Sequence, residues 1–164
     1  MGQQSYQTAL SRDPSLPKGR QVEDTAIAEV AMLLADLPRR RDLLIEALHL
    51  IQDGIGCLHA RHLAALAELF RLSQAEVFEV ASFYHHFDIV KEGEDAPAPL
   101  TIRVCNSLSC CMAGADDLIK KLRDATDPTR VRVQPVPCIG RCADAPAAQV
   151  GKRAVDVATV DTLL

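Results

Sequence analysis

Apolar positions in the first half of the chain recur at three- and four-residue steps. Val22, Ala26, Ile27, Val30, Leu33, Leu34 and Leu37 follow that period, which predicts a helix over residues 22–36. Pro38 marks a break or the first turn of the next helix. That helix carries Leu43, Leu44, Ala47, Leu48 and Ile51 inward, with Gly54 as its expected stop. A third, short helix presents Leu63, Leu66, Ala67 and Phe70. Ser73 to Glu76 reads as a capping box that opens a fourth helix, with Val77, Val80, Ala81 and Tyr84 on one face. Four short helices joined by tight turns predict a compact bundle over residues 21–90.

The pattern then changes. Lys91 to Pro99 is charged and then proline-rich, the composition of a linker. Leu100 to Val104 alternates as a half-buried strand that runs into Cys105. Residues 113–123 read as a helix, with Leu118, Ile119 and Leu122 on its apolar side. Arg130 to Val136 alternates again and arrives at Pro137-Cys138. Residues 147–157, with Gly151 between two short apolar runs, read as a hairpin, and 158–164 as a final helical turn. The expected fold is therefore α+β: a tail (1–20), a four-helix bundle (21–90), a linker (91–99) and a small β-α-β-β-α domain (100–164). No internal repeat or low-complexity segment is visible.

Composition narrows the function. With 164 residues, 48% hydrophobic, the chain suffices for one domain or two small ones. A net charge of −4 without a basic stripe argues against nucleic-acid binding. The short clusters Arg39-Arg40-Arg41 and Lys120-Lys121 read as solvated helix faces. No apolar run is long enough to span a membrane, and the polar N-terminal residues lack the core of a signal peptide. A cytoplasmic location is expected, where clustered cysteines point to metal or redox chemistry rather than disulfides.

Five of the six cysteines lie beyond residue 100. Two pairs stand out, Cys105 with Cys110 (C-x₄-C) and Cys138 with Cys142 (C-x₃-C). Each lies just past an expected strand, so the two loops meet at one end of the sheet, where soft thiolates favour iron–sulfur or zinc. A plant-type ferredoxin would need a third cysteine where Ala113 stands, and a Rieske centre needs histidines, none of which follows His86. No C-x-x-C pair is present for thioredoxin-type chemistry. Spacing alone leaves an all-cysteine [2Fe–2S] centre and a zinc-stabilised binding module both open; a thiol redox enzyme using Cys110 and Cys111 is a third class.

Gly140 allows close approach of backbone N–H groups, and Ser107 and Ser109 are further candidate donors. Arg141 reads equally as a partner of an anionic centre and as a solvated loop charge. Cys111 is an alternative to Cys110, which would give C-x₅-C. Cys57 reads as core, and His59 and His62 as surface residues. Phe83, Tyr84 and Phe87, with His85 and His86, form an aromatic end of the fourth helix in a chain of only 4% aromatics. Such residues anchor interfaces, although Phe83 and Phe87, four apart, also fit a core.

These features resemble the thioredoxin-like [2Fe–2S] subunits related to the peripheral-arm subunit of NADH:quinone oxidoreductase, from about residue 22 to the end. In that family a helical bundle precedes a thioredoxin-like domain bearing C-x₄-C and C-x₃-C pairs. Leu48-His49-Leu50-Ile51-Gln52-Asp53 and Glu79-Val80-Ala81-Ser82-Phe83-Tyr84 resemble two of its bundle segments. The resemblance implies the ligand set Cys105, Cys110, Cys138 and Cys142, selecting Cys110 over Cys111, which then reads as a small buried hydrophobe. It also implies one [2Fe–2S] cluster, with a potential well below a Rieske centre. FMN and NAD are expected on a partner flavin subunit.

Only residues 111–137 separate the cysteine pairs, a shorter stretch than respiratory members carry. This, with the loop Asn106-Ser107-Leu108-Ser109-Cys110, resembles more closely the gamma subunit of soluble, molybdenum-containing, NAD-dependent formate dehydrogenases. The alternatives are the equivalent subunits of NADH:quinone oxidoreductase and of NAD-linked hydrogenases. The formate reading adds a molybdenum-containing catalytic subunit as a partner reached through the flavin subunit. The chain has no dinucleotide fingerprint and no acid–base dyad, so no substrate turnover is expected from it alone.

Overall fold

A computed structural model describes residues 19–164. Residues 1–18, which make up most of the expected tail, lie outside the described residues. The first helix, α1 (Asp24–Leu34), buries Ala26, Val30 and Leu34 at four-residue steps. It is shorter than the expected 22–36 because Ala35 turns into positive φ. A 3₁₀ turn at Arg41–Leu43 leads into α2 (Leu44–Ile55).

Gly54 is not the stop of α2. The helix runs through it and ends at Gly56, whose φ of 93° places it in the left-handed region that glycine adopts without strain. At Gly54 a side chain would meet Leu33, since a Cβ there would lie 2.4 Å from Leu33 Cδ2. The glycine serves a close approach of α1 to α2, not a turn.

Next come a two-residue strand β1 (Leu58–His59), α3 (Ala60–Phe70) and α4 (Gln74–Phe83). All four expected inward residues of α3 are buried. At the start of α4, Ser73 Oγ accepts the Glu76 N–H at 3.2 Å. Glu76 does not reach back to complete the box; its carboxylate pairs with Arg41. Val77 and Ala81 are buried with Val80 packed against them, but Tyr84 lies past the helix end and is exposed. The arginine cluster is not a helix face: it occupies the α1–α2 connection, where Arg40 pairs with Asp42 at 2.6 Å. The four helices share one core, centred on Leu34, Leu48, Ile51, Leu66 and Val77.

A second short strand, β2 (Ile89–Val90), runs parallel to β1, with Leu58 opposite Ile89. Residues 91–99 carry no helix or strand. The C-terminal region contains β3 (Leu100–Cys105), α5 (Leu108–Met112), α6 (Ala115–Ala125), β4 (Val131–Val136), the hairpin β5 (Ala148–Val150) and β6 (Arg153–Val155), and α7 (Val160–Leu163). The sheet order is β4-β3-β5-β6, with β3 parallel to β4 and antiparallel to β5. Pro135 sits on the edge strand β4, where the missing N–H removes no central ladder bond.

Ile102 and Val104 pack with Leu118, Ile119 and Leu122 of α6. Alternation along β3 sends Thr101 and Arg103 to the other side, and the Arg103 guanidinium reaches His85, His86 and Asp88. The segment His85–Asp88 therefore lies against the face of the sheet that α6 leaves free. Among the described residues no helix is long and apolar enough to cross a membrane.

Candidate metal centre

Cys105 ends β3, and its N–H is fixed to the Ala147 carbonyl at 3.0 Å. The next residue continues the ladder, with Asn106 N–H donating to Val136 O at 3.0 Å. The chain then turns into α5, which carries Cys110. Both cysteines are buried, each 1% exposed. Cys138 and Cys142, on the loop after β4, are exposed. Their sulfurs lie 3.4 Å apart. Gly140, at φ 82°, donates its N–H to Cys138 Sγ at 3.4 Å.

The two loops adjoin, and groups of each bear on the thiols of the other. Burial works against the Cys105 thiolate. The Ser107 N–H, the Cys110 thiol, the Ile139 N–H and the Ser107 hydroxyl outweigh it, and together they hold Cys105 below the ordinary thiol range. Ile139 belongs to the other cysteine loop. On Cys142, the Ser109 side chain in turn favours the thiolate. Cys110 is pushed up by burial and by its cysteine neighbours, and Cys142 by its bond to Cys138. The site thus holds one buried and one exposed thiol pair, with the Gly140 N–H donating to the exposed one.

Cys111 is not the expected buried hydrophobe. It is half-buried, and its thiol donates to the Asn106 carbonyl at 3.0 Å with Asp116 beyond at 3.9 Å. Cys57 is core, as expected, with its sulfur 3.4 Å from His59 Nε2. His62 is not a surface residue: it is 1% exposed and paired with Glu29 at 2.7 Å. Of the aromatic residues, Phe87 joins the core while Phe83 is 74% exposed. Three contributors to this region were not foreseen from the sequence: Arg103, Asp88 and Asp156. An arginine at an inward position of β3 was the only available signal; nothing marked the two aspartates. Arg141 does not face the thiols as a free charge, because Asp156 holds its guanidinium with both oxygens.

A groove of about 490 Å³ adjoins the exposed pair, lined by Phe83, Tyr84, His85, Arg103, Pro137 and Cys138 among others. Among the described residues no three His, Cys, Asp or Glu side chains converge on a single ion position. The thiols come together two by two. Four thiols on two adjoining loops fit the donor set of a dinuclear cluster with two thiolates on each iron.

A thioredoxin-like α/β sheet with paired thiols on two adjoining loops defines a class of iron–sulfur proteins. Residues 30–164 match the family described as thioredoxin-like [2Fe-2S] ferredoxin, and the chain belongs to it. It is 31% identical over 121 residues to a subunit of the NADH-quinone oxidoreductase of Aquifex aeolicus (strain VF5), covering 69% of this chain and 72% of that one. It is 29% identical to the HndA subunit of the NADP-reducing hydrogenase of Solidesulfovibrio fructosivorans, covering 76% of this chain and 75% of that one. Among solved structures it resembles an NAD⁺-reducing [NiFe]-hydrogenase in the H₂-reduced state, with a TM-score of 0.55 and 30% identity. That likeness covers 77% of this chain but only 22% of the hydrogenase chain.

Proposed function

We propose that this chain is an electron-transfer subunit whose [2Fe–2S] cluster is held by Cys105, Cys110, Cys138 and Cys142. The observation that carries this reading is the pairing of thiols on two adjoining loops, Cys105 and Cys110 buried, Cys138 and Cys142 exposed with their sulfurs 3.4 Å apart. The Gly140 N–H that donates to Cys138 Sγ stabilises thiolate over thiol, as ligation requires. A bound cluster accepts and returns single electrons. Burial of Cys105 and Cys110 keeps water from one side of the site, while Cys138 and Cys142 bring the other side to the surface. Phe83, Tyr84 and the adjoining groove give a partner an apolar foothold beside the exposed pair.

The partner we infer is a subunit carrying FMN and NAD, in a complex of the kind to which the relatives belong. Within that class we favour the NAD-dependent formate dehydrogenase, with a molybdenum-containing catalytic subunit. The short 111–137 insert and the Asn106–Cys110 loop support this choice. The subunits of NADH:quinone oxidoreductase and of NAD-linked hydrogenases are supported by the identities given above. The working division is a helical docking region at 21–90, built as a four-helix bundle, a linker at 91–99 and a cluster domain at 100–164.

Anaerobically purified protein should contain iron and acid-labile sulfide in equal amounts, and dithionite should produce an S = ½ EPR signal. Serine at any of the four cysteines should abolish or alter that signal, while Cys111→Ser leaves it intact. A colourless protein holding one zinc and no sulfide would overturn the reading. Purification of the native complex decides among the three settings: formate-dependent NAD reduction with molybdenum present supports our choice, and nickel–iron subunits or quinone reduction refute it.

A further inference from the structure

The loop carrying Cys138 and Cys142 is exposed, yet one short segment grips it at three points. Arg141, inside the loop, makes a two-pronged ion pair with Asp156, Nε to one carboxylate oxygen and Nη2 to the other. Val157 donates its N–H to the carbonyl of Asp144 at 2.9 Å, and Ala158 donates to Pro146 O at 2.7 Å. Val157 itself sits at φ 43°, in the left-handed region that a β-branched residue adopts only at a cost. Its side chain is 60% exposed, so burial does not compensate. Such strain persists only where the surrounding contacts over-determine the backbone. Here they are the Asp156–Arg141 pair on one side and the two main-chain bonds on the other.

We propose that Arg141 and Asp156 form a charge-neutral latch that holds the outer ligand loop in the geometry its two thiolates need. This rests on the reading of Cys138 and Cys142 as ligands. An ordinary surface ion pair does little. This one is bidentate, which fixes orientation as well as distance, and it closes a loop that the backbone bonds of residues 157 and 158 already bring to the same segment. Neutrality matters because the cluster is anionic. An arginine alone beside it would raise its potential and an aspartate alone would lower it, through the same charge effects that tune such centres generally. The pair supplies rigidity without either shift, so Arg141 and Asp156 are positioning residues.

The test uses the full chain with its cluster assembled. Asp156→Asn, Arg141→Gln, Arg141→Lys and the double variant Arg141→Gln/Asp156→Asn are compared with the parent in three measurements. These are the midpoint potential, the EPR line shape and the rate of iron loss to a chelator. Each charge-removing single variant should lose iron several-fold faster than the parent. Asp156→Asn should raise the potential and Arg141→Gln should lower it. The double variant should return close to the parent potential while still losing iron fast. Arg141→Lys keeps the charge but offers no fork, and should fall between parent and Arg141→Gln in iron loss. Parent-like loss rates and spectra in the single variants would overturn the latch. So would a double variant that recovers both potential and loss rate, since charge alone would then explain the pair. A Cys138→Ser protein with an unaltered cluster would instead overturn the ligand reading.

Discussion

His62 shows how one buried side chain can make the helical half sensitive to acid. It projects from α3 toward α1, where its Nε2 lies 2.7 Å from Glu29 Oε2, while Nδ1 finds no protein partner. Burial pushes its pKa down, and the positive charges of Arg61 and His59 add to that against the pull of Glu29. The neutral ring donates its Nε2–H to the carboxylate, and that bond holds Glu29 below the ordinary carboxylate range. The unfolded chain, with an ordinary histidine pKa of 6.5, therefore takes up a proton before the folded one does. Stability rises with pH wherever the unfolded state binds more protons. The His62 contribution is complete above 6.5 and is lost as pH falls from there toward the lowered folded value. Glu29 adds a loss of the same sign below 4.5. Urea unfolding followed by far-UV circular dichroism should show a lower midpoint at about pH 5.5 than at about pH 7.5. Visible absorbance reports separately on the cluster. His62→Gln should flatten the slope; an unchanged slope in that variant would assign the acid sensitivity to other groups.

At the scale of elements, helix ends are decided by contacts that periodicity does not contain. The chain offers two glycines, Gly54 and Gly56, at the end of α2. Only Gly56 adopts positive φ, and nothing lies within 4 Å of a Cβ built there. Gly56→Ala should thus lower stability by about 1 kcal/mol from backbone strain alone, read as a shift in denaturation midpoint without loss of helix content. A neutral result would mean that the cap relaxes. The reason Gly54 is not the cap is Leu33, a tertiary neighbour on α1. The apolar periods of α1 and α4 were legible because each buries one face of its own sequence, whereas β3, expected to be half-buried, is buried from Thr101 to Cys105 because Thr101 and Arg103 on its polar face are also covered. The five-residue α5 and the two-residue strands β1 and β2 are too short to show a period. At the candidate centre, the spacing of the thiols exposed both pairs, but not that one pair is buried and the other exposed. Burial of that kind depends on where α5 lies against the sheet. Asp156 was illegible for the same reason, being fifteen residues from the arginine it holds.

The whole molecule depends on how firmly the helical half is fixed against the sheet. One short segment, His85 to Asp88, is gripped from both directions. From α2, Gln52 donates to His86 O at 2.8 Å and accepts the Asp88 N–H at 2.7 Å. From the sheet, Arg103 donates to His85 O at 3.1 Å, to His86 O at 2.9 Å and to Asp88 Oδ2 at 2.9 Å, while Arg132 takes the other Asp88 oxygen. Arg103 is buried, which disfavours its charge, and Asp88 is the carboxylate that opposes this. Removing one partner of a buried pair leaves the other charge uncompensated, at a cost of about 3–5 kcal/mol. A third ion pair, Lys152 with Asp53, also links the helical half to the sheet, but both side chains are largely in solvent. Exposed pairs of that kind contribute little. Asp88→Ala should therefore lower the denaturation midpoint sharply and speed protease cleavage within residues 91–99, whereas Lys152→Ala should leave both close to the parent. Because Arg103 also lines the groove between Phe83 and Cys138, Asp88→Ala should weaken binding of the flavin subunit while the cluster's EPR signal stays intact. Equal effects of the two variants on stability, or an unchanged affinity in Asp88→Ala, would show that this polar clamp does not set the docking face.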